Sequence, residues 1–156
     1  MDDSVEIRPA RQGESADVAE LRWRWVRENG AAPTLTREVF VSRFVRWARE
    51  NEHTHRCLVA VRGPRVVGMA WLATVPRVPS PLAVERASGD VQCVYVVPEE
   101  RDGGLGGRLV EAVLDLAREQ GHERVTVHSS DRAVAGYRRW GFDASPRLLQ
   151  AEPGAR

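Results

Sequence analysis

The sequence predicts an α/β fold: one domain with a mixed, mostly antiparallel central sheet flanked by about four helices. Three observations lead there. Apolar segments with a period of two alternate with segments of helical period in the order β-α-α-β-β-β-α-β-α-β. Two of the strands are separated only by Arg62-Gly63-Pro64-Arg65, which reads as a hairpin. The strongest amphipathic helix follows a strand through a run of glycines, so strand, turn and helix form one unit.

Taken in order, Val5 to Arg8 alternates as a strand and Pro9 ends it. Ser15 is placed to cap a helix carrying Val18, Leu21 and Trp25 on one face, stopped by Asn29-Gly30. Thr34 or Thr36 caps the next, whose face holds Phe40, Phe44 and Trp47, read as core packing. Cys57 to Val61 and Val66 to Val75 are the hairpin strands. Pro76 to Gly89, with three prolines and no period, is expected to be a loop. Asp90 to Val97 is a further strand. Leu105, Leu109, Val113 and Leu116 mark the amphipathic helix, closed by Gln120-Gly121. Arg124 to His128 is a strand. Asp131 to Trp140 is a short helix, with Asp131 its candidate cap and Gly141 its C′ residue; Arg147 to Gln150 is a candidate last strand.

Composition narrows the function. A chain of 156 residues is of single-domain size and needs no disulfide or metal to build its core. The formal net charge is +1 and all 23 basic residues are scattered arginines, which argues against nucleic acid as the main partner. Cys57 and Cys93 lie in apolar runs with no metal-ligand spacing, so no metal is expected. The acidic N-terminus has no apolar signal core and no stretch is long enough to span a bilayer, so the expected location is cytoplasmic, as monomer or homodimer.

The chemical signal is Val94-Tyr95-Val96-Val97-Pro98-Glu99-Glu100-Arg101-Asp102-Gly103-Gly104-Leu105-Gly106-Gly107-Arg108. Glycines let backbone N–H groups converge, and a helix N-terminus adds unpaired donors and a positive dipole end, a geometry that holds phosphate. Arg101 and Arg108 could add charge. It is neither a dinucleotide fingerprint, which needs GxGxxG after the first strand, nor a P-loop, which needs Gly-Lys-Ser/Thr.

Arg101-x-x-Gly104-x-Gly106 resembles the R/Q-x-x-G-x-G/A loop of the GNAT acetyltransferases, and Tyr137-Arg138-Arg139-Trp140-Gly141-Phe142 resembles that family's Tyr-x-x-x-Gly-Phe ending. The resemblance covers about residues 5 to 150. It implies the GNAT fold over 1–156 and acetyl-coenzyme A as co-substrate. The pyrophosphate would rest on the amides of Asp102, Gly103, Gly104, Leu105, Gly106 and Gly107, next to Arg101. The pantetheine arm would pair with Val94, Tyr95 and Val96, one of whose N–H groups would hold the oxyanion. The family commonly has Asn after the next strand; here Ser130 stands there, beside Ser129 and Asp131, with one donor instead of two.

Tyr137 matches the family's general acid, which protonates the departing thiolate. Asp90, at the start of the strand before the glycine loop, matches its general base; a turn residue after Gly89 is the competing reading, and Glu85 and His128 are the alternative bases. The expected reaction is direct attack of a primary amine on the thioester. The acceptor is a small molecule or a peptide amine, held near Trp23, Arg24, Arg27, Glu28 and the Pro76 to Gly89 segment. Another acyl-coenzyme A, a non-catalytic acyl-coenzyme A-binding domain and a nucleotide-binding module are the competing functions.

Overall fold

The computed structural model describes residues 4–154. Five strands, β1 (Val5–Pro9), β2 (His55–Arg62), β3 (Arg65–Arg77), β4 (Arg86–Val96) and β5 (Val125–Val127), lie side by side in that order. The first three pairings are antiparallel and β4–β5 is parallel. Four helices complete the fold: α1 (Ser15–Glu28), α2 (Arg37–Glu50), α3 (Leu105–Glu119) and α4 (Val134–Arg139). The predicted mixed, mostly antiparallel sheet with four helices is what forms.

The core follows the apolar periods. Val59, Val67, Met69 and Leu72 of the sheet are fully buried with Leu109 and Val113 of α3 and Val18 of α1. α3 buries Leu105, Leu109, Val110, Val113 and Ala117, a continuous helical stripe. α2 buries no residue completely. It meets the sheet through rings: Phe44 stands edge-on to Trp71 at 5.8 Å between centroids, and Trp47 lies 5.7 Å from the same ring. Of the face read as core packing, Phe44 packs against the core, Phe40 meets Trp23 of α1, and Trp47 stays 39% exposed.

Several local expectations change. Ser15 is the first residue of α1 and not its cap; a 3₁₀ turn, Gln12–Glu14, precedes it, and the Glu14 carboxylate turns back to accept from the Arg11 backbone N–H at 2.7 Å. Thr36, not Thr34, caps α2, its Oγ1 accepting from the Val39 N–H at 3.2 Å. Asp131 opens a 3₁₀ turn (Asp131–Ala133) and caps nothing. The loop expected from Pro76 to Gly89 shrinks to residues 78–85, because β3 runs on to Arg77 and β4 starts at Arg86. Pro76 pairs with Ala87 in an arm that extends past the last β2 partner, Ala73, where no third strand requires the missing N–H. Leu82 at the arm's tip is 97% exposed. Arg147 to Gln150 forms no strand; Leu148 and Leu149 are adjacent rather than alternating, and Leu149 is 86% exposed.

Two features of β4 shape the site. Met69 faces Tyr95 and Trp71 faces Gln92, so Cys93 and Val94 together oppose Ala70 alone, a bulge in which Cys93 adopts φ 52°. And β4 pairs with β5 only over Gly89, Asp90 and Val91; from Gln92 to Val96 no strand lies on that side, since the chain after Val127 turns away into α4.

Candidate functional site

Beyond β4, a 3₁₀ turn at Pro98–Glu100 leads into the glycine segment. Asp102 adopts φ 68° and Gly104 φ 81°, a left-handed pair that swings the chain into α3. Gly104 is the N-cap, its carbonyl accepting from the Arg108 N–H at 3.1 Å. Helix thus begins at Leu105, and Gly106 and Gly107 belong to its first turn rather than to the loop. The N–H groups of Asp102 to Gly107 have no acceptor among the described residues. The glycines answer different needs. A Cβ at Gly104 would be strained by its φ, whereas one at Gly107 would meet the Trp140 indole Nε1 at 2.7 Å; at Gly106 the nearest atom would be 3.8 Å away.

The two arginines nominated from the sequence point elsewhere. Arg101 donates from Nε to the Val96 carbonyl at 2.9 Å and from Nη2 to Glu28 at 2.9 Å, with its guanidinium carbon 5.4 Å from the Tyr95 ring centroid. Arg108 donates to the Val5 carbonyl at 2.9 Å. Arg101 therefore ties the turn to α1, as do the bidentate Arg24–Glu99 pair and, from the β2–β3 hairpin, Arg62–Glu100. Arg24 holds the Glu99 carboxyl at about 2, well below the usual carboxylate range. Arg24 and Glu28, nominated for the acceptor cleft, are thus occupied in fastening the turn. Trp23 packs on Phe40, 6.0 Å between centroids.

On β4, Tyr95 is buried beneath Trp25 of α1, with its hydroxyl unpartnered among the described residues and its pKa raised, chiefly by burial. The Val96 carbonyl is occupied by Arg101, and no strand pairs with the Gln92 to Val96 edge on the side of the β4–β5 split.

Tyr137 sits on α4, 8% exposed, edge-on to Trp140 and Phe142 at 5.5 and 5.4 Å. Gly141 (φ 102°) and the Phe142 N–H, which bonds back to the Tyr137 carbonyl at 3.0 Å, close the helix behind it. Burial raises the Tyr137 phenol above its ordinary range, with a further push from Cys93. Burial also raises the Cys93 thiol.

Asp90 lies inside β4, between Ala73 and Thr126, and not in a turn. Its Oδ1 accepts from Thr126 Oγ1 at 2.9 Å and its Oδ2 from Gln92 Nε2 at 3.0 Å. Thr126 also lines a cavity of about 560 Å³ with His128 and Tyr137. Thr126 thus links the Asp90 carboxylate to the cavity that His128 and Tyr137 line. Glu85 is exposed in the arm, roughly 16 Å along the strand direction from Asp90 at about 3.3 Å per residue. Ser130 is exposed before the 3₁₀ turn, its carbonyl accepting from Ser129 Oγ at 2.8 Å. Thr126, Gln92 and Trp140 were missed: the first depends on a parallel register between distant strands, and the last on how α4 packs against α3.

An unpaired strand edge running into a left-handed turn and a helix start with open amides is an architecture that suits an extended, phosphate-bearing ligand. Residues 16–142 match the model of the acetyltransferase (GNAT) family. The chain belongs to that family. It is 31% identical over 88 residues to a glucosamine 6-phosphate N-acetyltransferase of Trypanosoma brucei brucei, a region covering 56% of this chain and 58% of that protein, so the match spans little more than half of the relative. A predicted acetyltransferase of Clostridium acetobutylicum, solved with acetyl-CoA, superposes with TM-score 0.78 at 15% identity, over 96% of each chain. A Trypanosoma brucei acetyltransferase does so at 0.74 and 25% identity, over 96% of this chain and 99% of that one. Among the described residues no helix is long and apolar enough to cross a membrane, and no group of three or more His, Cys, Asp or Glu could hold a metal.

Proposed function

We propose that the chain, acting as one domain over residues 1–156, transfers an acetyl group from acetyl-coenzyme A to a primary amine by direct attack. The observation that carries this is the split between β4 and β5: an unpaired strand edge that leads to the open amides of residues 102–107, with Tyr137 of α4 edge-on to Trp140, which packs on that same first turn of α3. The pantetheine amides pair with the Gln92 to Val96 edge as an added strand. The pyrophosphate lies on the amides of α3's first turn, where the helix dipole favours it.

The amine nitrogen attacks the thioester carbonyl carbon. A backbone N–H of the β4 edge holds the oxyanion that forms. The carbon–sulfur bond then breaks and the Tyr137 hydroxyl protonates the leaving thiolate. Because burial raises the Tyr137 pKa, the phenol stays protonated at neutral pH, and its proton moves in concert with sulfur departure rather than ahead of it. The amine attacks as the free base. Asp90 takes the proton that the nitrogen sheds on attack, directly or through Thr126 and water, and that proton returns through water to the Tyr137 phenolate. Its two hydrogen bonds fix the carboxylate's orientation within the strand.

The curated relative supports an amino sugar phosphate as one acceptor to try. The test is free-thiol release from acetyl-coenzyme A over a panel of amino sugars, polyamines, amino acids and peptides, with succinyl- and propionyl-coenzyme A as alternative donors. Amine-dependent release supports an enzyme. Tight binding with no release for any donor would leave a coenzyme-binding domain.

A further inference from the structure

The charge that meets the coenzyme's phosphates has to come from somewhere other than Arg101 and Arg108, because both are bound to partners inside the chain. Two adjacent side chains on the other wall of the glycine turn are free. Trp140, at the end of α4, is wedged against the first turn of α3. A Cβ on Gly107 would lie 2.7 Å from its Nε1, one on Gly106 3.8 Å from the far edge of its ring, and one on Gly136 3.2 Å from that same edge. Three glycines thus make room for one indole. Its N–H can only donate, and no acceptor for it exists among the described residues.

Arg139 stands next to it. Its Nη2 is 3.6 Å from the same Gly136 Cβ position that the indole edge approaches, so the guanidinium lies on the ring's side of α4. Among the described residues it has no carboxylate partner, unlike Arg8, Arg24, Arg37, Arg62, Arg65, Arg86, Arg101 and Arg118. A neutral donor thus stands against the first turn of α3, and a cation lies by the far edge of the same indole, at Gly136.

We propose that Arg139 and Trp140 hold a phosphate of coenzyme A, Arg139 as the charged fork and Trp140 through its Nε1–H. This rests on the coenzyme reading above and adds the residues that recognise its charge. Helix amides supply partial charges only, whereas coenzyme A carries both a pyrophosphate and a 3′-phosphate. A guanidinium matches phosphate oxygens two at a time, and a bond between charged partners is about twice as strong as one between neutral groups.

The experiment is calorimetric titration with acetyl-coenzyme A and with its 3′-dephospho form, at two salt concentrations, on the wild type and on Arg139→Gln, Arg139→Lys, Trp140→Phe and Arg108→Gln. Each variant is first shown folded by its melting transition. Arg139→Gln should weaken acetyl-coenzyme A about ten-fold or more and flatten the salt dependence. Arg139→Lys should fall between, Trp140→Phe should lose roughly three- to ten-fold, and Arg108→Gln should bind as wild type. If the Arg139→Gln loss disappears with the dephospho form, the phosphate held is the 3′ group; if it persists, it is the pyrophosphate, and either result supports the proposal. Arg139→Gln binding both forms with wild-type affinity and salt dependence would overturn it. A wild type that binds neither form overturns the coenzyme reading itself, and this proposal with it.

Discussion

Tyr137 and Asp90 make separable predictions. Tyr137→Phe keeps the ring that packs on Trp140 and Phe142 and removes only the proton. Turnover should fall about 10²- to 10⁴-fold with coenzyme affinity little changed. Asp90→Asn keeps the Thr126 contact in size but not in charge. Its pH–rate profile should rise at higher pH than the wild type's and recover as free amine becomes abundant, which Tyr137→Phe should not do. A profile that only scales down would leave Asp90 a structural residue and turn the search to Glu85 and to His128, which shares the Tyr137 cavity. A third residue governs stability. His122 bonds Thr74 Oγ1 through Nε2 at 3.1 Å, while its buried Nδ1 has no partner, and burial lowers its pKa. Above the unfolded value near 6.5 both states are neutral and nothing is lost. As pH falls through that value the unfolded chain takes up a proton that the folded chain resists, so stability declines. His122→Gln should flatten the fall in melting temperature between pH 7 and 5. The Glu14 carboxyl, held at about 2 by Arg8, acts in a lower window, below pH 4.5.

At the level of elements, the unit from β4 to α3 was the most legible part of the chain, because its signals are local. A strand, a proline, glycines and an amphipathic stripe all fall within one stretch, and Tyr137 stands in an equally local Gly-Phe ending. What could not be read depends on partners far away in sequence. Asp90 meets Thr126 only through the parallel register of β4 and β5. Arg101 resembles a phosphate ligand until α1 brings Glu28 to it. Pro76 reads as loop until the arm beyond Ala73 leaves it an edge to occupy. The glycines illustrate the same limit, since three of them look alike in sequence and differ in space. Gly107→Ala drives a Cβ into Trp140 and should cost about 1–3 kcal/mol. Gly104→Ala should cost about 1–2 kcal/mol through its φ. Gly106→Ala has room and should be close to neutral. In a chain of this size about 1 kcal/mol moves the melting temperature roughly 2–4 °C, so thermal melts rank the three. A Gly107→Ala protein as stable as wild type would show that the indole yields easily.

Across the whole molecule, the sheet is continuous at one end and split between β4 and β5 at the other. α3 and α4 meet through Trp140. α1 is fastened to the turn at its head by Arg24–Glu99 and Glu28–Arg101, and the β2–β3 hairpin by Arg62–Glu100. The turn that carries the open amides is therefore braced from two sides before any ligand arrives. The most direct measurement is a crystal structure with acetyl-coenzyme A bound. The account predicts pantetheine paired along the Gln92 to Val96 edge, phosphate oxygens within hydrogen-bond distance of the Leu105 to Gly107 amides, and the sulfur in reach of the Tyr137 hydroxyl. A coenzyme lying elsewhere, or one whose sulfur faces away from Tyr137 in the β4–β5 split, would contradict it.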